Sequence, residues 1–85
     1  FDLSFRVDES ALAADLLAAT SDVAGELLES SRVFDEFKSP EGERALAIRY
    51  RLRAEDRTLT GQDLAAVREA MIEAASGIGA ELRGA

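Results

Sequence analysis

The chain has 85 residues, 47% of them hydrophobic and 32% charged, with a net charge of −7 and neither cysteine nor histidine. This composition is typical of one small globular domain (residues 1–85), and it excludes disulfides, thiolate or imidazole metal ligands, cysteine nucleophiles and histidine-based triads. No apolar run reaches the roughly 20 residues of a membrane-spanning helix. A start at Phe1 without a signal segment indicates a domain of a longer, cytoplasmic chain.

The first two elements follow from hydrophobic spacing. Leu3, Phe5 and Val7 alternate with polar residues, which predicts a half-buried strand with its apolar side toward a core. The acidic and hydroxyl side chains of residues 8–10 favour a helix start, and apolar residues at helical spacing then predict a first helix over residues 11–25.

The middle of the chain predicts a hairpin. Residues 27–38 carry Val33, Phe34 and Phe37, types that favour a second strand, and the Ser-Pro-Glu-Gly run at residues 39–42 indicates a turn. The third strand has the clearest pattern in the sequence, because inward apolar residues alternate strictly with outward ones. The inward set is Leu46, Ile48, Tyr50 and Leu52, and the outward set is Ala47, Arg49, Arg51 and Arg53.

The last part of the chain predicts a helix and a short strand. Thr60 and Asp63 resemble a capping box, and apolar residues at helical spacing continue to residues 76–77. Residues 78–83 leave room for a final strand with Leu82 inward and Arg83 outward. The predicted fold is therefore α+β, a ferredoxin-like split βαβ (βαββαβ) with a four-stranded antiparallel sheet and two helices on one face.

The net charge conceals an uneven distribution. Seven of the ten basic residues lie between residues 31 and 60, whereas residues 1–30 carry a charge of −6. The predicted fold gathers five arginines on the helix-free face: Arg6, Arg49, Arg51, Arg53 and Arg83. Arginines at alternate strand positions stand about 6 to 7 Å apart, and their flat groups bind phosphates and stack on bases. The alternative is the ordinary polar surface of an open sheet, neutralised by nearby acids.

Two further groups of side chains invite a functional interpretation. Phe37, beside Lys38 at the mouth of the hairpin, is a candidate platform for an unpaired base, and the alternative is a ring folded onto the core. We expect the other aromatic residues, Phe1, Phe5, Phe34 and Tyr50, to pack inward. The acidic residues near the turn are interpreted as solvated charges rather than a metal site. With no nucleophile, base or cofactor loop, the sequence favours a binding module over a catalyst.

Five short stretches carry a family resemblance: residues 2–5 (DLSF), 33–35 (VFD), 42–47 (GERALA), 57–60 (RTLT) and 79–83 (GAELR). In order and spacing they resemble the ferredoxin-fold anticodon-binding domain at the C-terminus of the phenylalanyl-tRNA synthetase beta subunit. The chain departs from the family pattern at Glu36, in place of an aliphatic residue, and at Glu43 and Ala45, in place of a lysine and a serine.

The resemblance implies a non-catalytic arm of a class II ligase that grips the anticodon of phenylalanine tRNA. It implies an alpha2beta2 enzyme in which another subunit joins phenylalanine to the tRNA with ATP and magnesium, with no cofactor in this domain. On the family pattern Phe37 stacks on an anticodon base. We expect Arg49, Arg51 and Arg53 to meet phosphates, with Lys38 and Arg44 steering the edge. The alternative on this fold is a protein-binding or small-ligand regulatory module.

Overall fold

The computed structural model describes residues 1–83 and confirms the predicted order of elements. These are β1 (Asp2–Val7), α1 (Ala13–Ala24), a 3₁₀ turn (Gly25–Leu27), β2 (Leu28–Lys38), β3 (Arg44–Leu52), α2 (Gly61–Gly77) and β4 (Glu81–Leu82). The strands form one antiparallel sheet in the order β2-β3-β1-β4. The first and third strands therefore occupy the centre, as right-handed crossovers require.

The hydrophobic core lies between the sheet and the two helices. Alternate residues of the central strands are buried there together with residues of both helices: Leu3, Phe5, Val7, Leu46, Ile48, Tyr50, Leu16, Met71 and Ala75. Successive strand residues point to opposite faces, so the intervening residues face away from the helices. We call this helix-free side the open face; on the central strands it consists of Asp2, Ser4, Arg6, Ala45, Ala47, Arg49 and Arg51.

The predicted alternation of β3 is confirmed. Ile48 and Tyr50 are buried, whereas Arg49 and Arg51 are exposed. Arg53 lies just beyond the strand, yet its backbone N–H still donates to the carbonyl of Leu27 at 2.7 Å. The outward direction of the arginines therefore follows directly from the period of two in the sequence.

The helix boundaries match the prediction at three of four ends. α2 has the predicted capping box, in which Thr60 Oγ1 accepts from the N–H of Asp63 at 3.1 Å and the Asp63 carboxylate accepts from the N–H of Thr60 at 3.0 Å. α1 begins two residues later than predicted, after Leu12. The carboxylate of Asp8 binds within the preceding turn instead, to the N–H of Glu9 and the hydroxyl of Ser10. No helix within residues 1–83 is long and apolar enough to cross a membrane.

One buried polar contact ties α1 to the sheet. Tyr50 on β3 donates its hydroxyl to Oγ1 of Thr20 at 3.0 Å. Thr20 Oγ1 in turn donates to the carbonyl of Leu16 at 3.0 Å, so both hydroxyls are satisfied inside the core. Burial raises the pKa of the Tyr50 phenol, since the ionised form would lose its water.

Candidate nucleic-acid interface

The middle of the open face is lined by small side chains. Ser4 lies opposite Ala47 in the sheet, and Ala45 lies opposite Arg6. Ala45 lies between Phe37 and Arg6 in the register, and only 4% of it is exposed. The larger side chains on either side therefore form the surface of the sheet here.

Phe37 is one of these larger side chains. It lies opposite Ala45 on the edge strand β2, and 44% of the residue is exposed. The guanidinium of Arg83 lies over the face of its ring, 4.9 Å from the centroid. Arg83 directly follows β4 at the other edge of the sheet, where its backbone N–H donates to the carbonyl of Ser4 on β1, so its side chain reaches across both central strands.

β2 contains a β-bulge next to Phe37. Val33 pairs with Ile48 and Asp35 pairs with Ala47, so one extra residue, Phe34, lies between two consecutive partners. On a regular strand the inward direction of Val33 would turn Asp35 toward the helices as well. The bulge places Asp35 on the open face, and every later residue of the strand shifts with it.

The expectation that Phe34 packs inward is therefore wrong. Phe34 and Phe37 are three residues apart and would face opposite sides of a regular strand, but the bulge sets both on the open face. Phe34 is 40% exposed, and the guanidinium of Arg49 lies 4.7 Å from its ring centroid. Phe5 and Tyr50 are buried as expected, whereas Phe1 is only partly covered.

Arg49 is held by Asp2 on the neighbouring strand. Its Nε and Nη2 donate to the two carboxylate oxygens of Asp2 at 3.0 and 3.1 Å. The hydrogen bond from Arg49 holds the pKa of Asp2 below its ordinary value, and the same bond raises the pKa of Arg49. The charge of Arg49 is thus compensated locally and its plane is fixed.

The remaining predicted cations are only loosely paired. Arg51 and Arg53 lie 3.7 and 3.6 Å from the carboxylate of Glu29, with side chains 75% and 72% exposed. Lys38 is at the end of β2, where it pairs with Arg44 and so lies on the helix side, 3.9 Å from Glu36. Exposed pairs at such distances contribute little to stability and can exchange for another anion.

Arg44 is placed differently from the other predicted site residues. It pairs with Val7 and therefore lies on the helix side, where its side chain is only 14% exposed. Its guanidinium binds Glu36 at 2.9 Å and donates to the carbonyls of Glu9 and Ala11. The expectation that Arg44 steers RNA does not fit this placement, because the guanidinium anchors the β1–α1 loop. The pair also accounts for Glu36, which compensates the Arg44 charge.

Two residues of the face were missing from the predicted site. Arg83 was expected on the open face, but its contact with Phe37 depends on side-chain reach across the sheet and has no sequence signal. The exposure of Phe34 did have a sequence signal. With Val33 inward, a regular strand would bury the carboxylate of Asp35, which is costly without a partner, so a bulge at Phe34 is favoured. Among residues 1–83 there is no group of three or more acidic side chains that could hold a metal ion.

Comparison with known proteins identifies the family of the chain. The family model of the ferredoxin-fold anticodon binding domain matches residues 1–83. The chain belongs to this family. Phenylalanine–tRNA ligase beta subunits are similar to it: that of Thermobifida fusca is 45% identical over 87 residues, covering 98% of this chain, and that of Streptomyces avermitilis is 43% identical over 86 residues, covering 96%.

The anticodon-binding domain is a small part of these relatives. The chain spans about a tenth of the length of the curated relatives it matches, 10% for both the Thermobifida fusca and Streptomyces avermitilis proteins. A third beta subunit, from Corynebacterium jeikeium, is 43% identical over 86 residues, 96% of this chain and 10% of that protein.

Proposed function

We propose that this domain binds the anticodon loop of phenylalanine tRNA through its open face and positions that tRNA for aminoacylation elsewhere in the enzyme. The observation that carries the proposal is the exposed ring of Phe37 on a helix-free sheet face, in a chain of the anticodon-binding family. Single-stranded RNA loops are read by splaying bases onto aromatic rings and arginine planes. The open face offers both.

The exposed ring of Phe37 is the proposed stacking surface for a base. A base stacked on an aromatic ring contributes about 1 to 3 kcal/mol, and the contact tolerates any base because each has a π face. Phe37 therefore supplies stacking, while other side chains set the register of the RNA backbone.

We assign the phosphate contacts to the cations whose ion pairs are long and exposed. Arg51 and Arg53 are on or beside the open face, whereas Lys38 pairs with Arg44 on the helix side and reaches the RNA only around the hairpin edge, where its side chain is 69% exposed. Their pairs with glutamates are long, so a phosphate replaces the carboxylate at little cost. Three such contacts with single-stranded RNA predict that log K falls with log salt at a slope of about −2.

The wider setting of the proposal is an enzyme larger than this chain. We propose that the domain is a non-catalytic part of a cytoplasmic phenylalanine–tRNA ligase, partnered by the rest of the beta subunit and by the alpha subunit in an alpha2beta2 assembly. ATP and magnesium would act at the catalytic subunit, and this domain would take part through tRNA alone. The relatives named above support the beta-subunit assignment.

The test is a filter-binding titration of the 85-residue chain with the anticodon stem-loop of phenylalanine tRNA across a range of salt. We expect salt-dependent binding that Phe37→Leu weakens at least about 5-fold, the low end of base–aromatic stacking. The same stem closed by paired nucleotides, without a loop, is the control RNA. No binding at any salt concentration, together with a stable dimer in gel filtration that RNA does not alter, would support the protein-binding alternative instead.

A further inference from the structure

The bulge in β2 has an unusual outcome, because it exposes two aromatic rings on one face. A regular strand would turn either Phe34 or Phe37 toward the core, where burial of a phenylalanine is favourable. Here both are exposed, at 40% and 44%. Bulges re-aim side chains and are common beside functional sites. The strand thus gives up apolar burial and presents a second flat surface.

The surroundings of Phe34 fit a stacking site rather than a phosphate site. The Arg49 guanidinium lies over the ring at 4.7 Å, and Asp2 fixes its plane through two hydrogen bonds. A bidentate carboxylate already uses two of the donors of Arg49 and balances its charge. What remains for a ligand is the flat surface of the guanidinium and the exposed part of the ring, both of which stack on bases.

We propose that Phe34 and the Asp2-held guanidinium of Arg49 form a second base-stacking site, separate from Phe37. This inference rests on the proposed RNA function of the open face. Phe34 lies between the residues that pair with Ile48 and Ala47, and Phe37 lies opposite Ala45; three residues along β2 separate the two rings by about 10 Å at the backbone.

The separation of the two sites defines the ligand. Neighbouring stacked bases in one nucleic-acid strand are about 3.4 Å apart, so bases at the two sites cannot be stacked on each other. The matching ligand is a single-stranded RNA loop with two splayed bases. A duplex, or a single flipped base, would use one site at most.

The experiment combines protein variants with abasic RNAs. The probes are the anticodon stem-loop of phenylalanine tRNA and a set of the same RNAs, each with one loop base removed. Affinities are measured for the unaltered chain, Phe34→Leu, Phe37→Leu and the control Val23→Ala, a hydrophobic residue of similar exposure on α1. We expect each phenylalanine variant to weaken binding about 5-fold or more, and Val23→Ala to leave it unchanged.

The abasic RNAs distinguish two base-stacking sites from a single shared site. We expect the Phe34→Leu penalty to disappear when one particular loop base is missing, and the Phe37→Leu penalty to disappear for a different base. If Phe34→Leu binds intact RNA as the unaltered chain does, or if both penalties depend on the same base, the second site is overturned while the RNA function stands. A penalty that no abasic position removes, with an altered circular dichroism spectrum, assigns Phe34 a structural role and also overturns the site. Absence of RNA binding by the unaltered chain overturns both proposals.

Discussion

The guanidinium of Arg83 lies 4.9 Å from the ring centroid of Phe37, although the two residues come from opposite edges of the sheet. It covers the same ring face that a stacked base would use. An exposed cation–π contact contributes about 0.5 to 1 kcal/mol, whereas base stacking on an aromatic ring contributes about 1 to 3 kcal/mol. On the proposed function we expect a base to displace the guanidinium, which frees Arg83 to contact the RNA.

Nuclear magnetic resonance detects this displacement directly. In the free chain we expect the side-chain protons of Arg83 to be shifted upfield by the ring current of Phe37. Phe37→Leu removes that shift, and so does titration with the anticodon stem-loop. The side chain of Arg53, which has no aromatic partner among residues 1–83, serves as the internal control. An upfield shift of Arg83 that persists at saturating RNA would show that the base does not use this ring face.

On the proposed function, we expect the loosely paired arginines Arg51 and Arg53 to govern the salt dependence of RNA binding. Replacing both Arg51 and Arg53 by Gln removes two phosphate contacts, which lowers the magnitude of the salt slope by about 1.4 at roughly 0.7 per contact. The chain stays folded, because exposed strand charges contribute little stability. Arg68→Gln, which removes a cation from α2 on the other side of the sheet, is the matched control. Equal slopes for the double variant and the unaltered chain would place the phosphates elsewhere.

Arg49 and Arg51 are two residues apart on β3 but differ in role. Arg49→Lys keeps the charge and loses both the flat guanidinium and the bidentate bond to Asp2. We expect RNA binding to weaken about 5-fold with an unchanged salt slope, since a stacking surface and not a phosphate contact is lost. Arg51→Lys, the matched control, keeps its phosphate contact and binds as before. Equal affinities for the two variants in a binding titration would argue against a stacking role for Arg49.

The strand pattern of the sequence predicted most of the open face, because period-two alternation depends only on backbone geometry. Arg49 and Arg51 are exposed for this reason. The same alternation, continued backward along β3, puts Arg44 on the same side as Leu46 and Ile48. The alternation alone therefore predicts that Arg44 lies on the helix side, where it anchors the β1–α1 loop. The identity of its partners was not predictable, since it depends on how the loop folds over the strand end.

The failures occur where tertiary structure overrides a regular strand. Phe34 was assigned inward because a strand without a bulge cannot expose both Phe34 and Phe37. Only the conflict between an inward Val33 and an inward Asp35 marks the irregularity. The reach of Arg83 across the sheet, and the clamping of Arg49 by Asp2, depend on rotamers that no linear pattern specifies. The sequence pattern thus predicts the helices and strands, whereas side-chain packing determines the geometry of the site.

The buried contact between Tyr50 and Thr20 predicts unequal effects of its two partners. Thr20→Val leaves the Tyr50 hydroxyl buried without an acceptor, which costs about 1 to 3 kcal/mol. Tyr50→Phe leaves Thr20 bonded to the carbonyl of Leu16, so the cost is smaller, about 0.5 to 1.5 kcal/mol. Urea unfolding measures both. Neither variant alters RNA affinity under folding conditions, because both side chains lie on the helix side. A larger loss for Tyr50→Phe would contradict this assignment.

The capping box of α2 predicts the acid sensitivity of the fold. The hydrogen bond from the backbone of Thr60, aided by the Arg57 guanidinium, holds the pKa of Asp63 below its ordinary value of 3.8. The carboxylate therefore stabilises the folded chain above about pH 4, and this stabilisation is lost as the pH falls through the lowered pKa. Asp63→Asn reduces stability at pH 7, and its difference from the unaltered chain shrinks as the pH drops below 4. Urea unfolding as a function of pH measures this, with Glu73→Gln further along the same helix as the charge control. A difference that is constant from pH 7 to 3 would show that the charge of Asp63 does not support the cap.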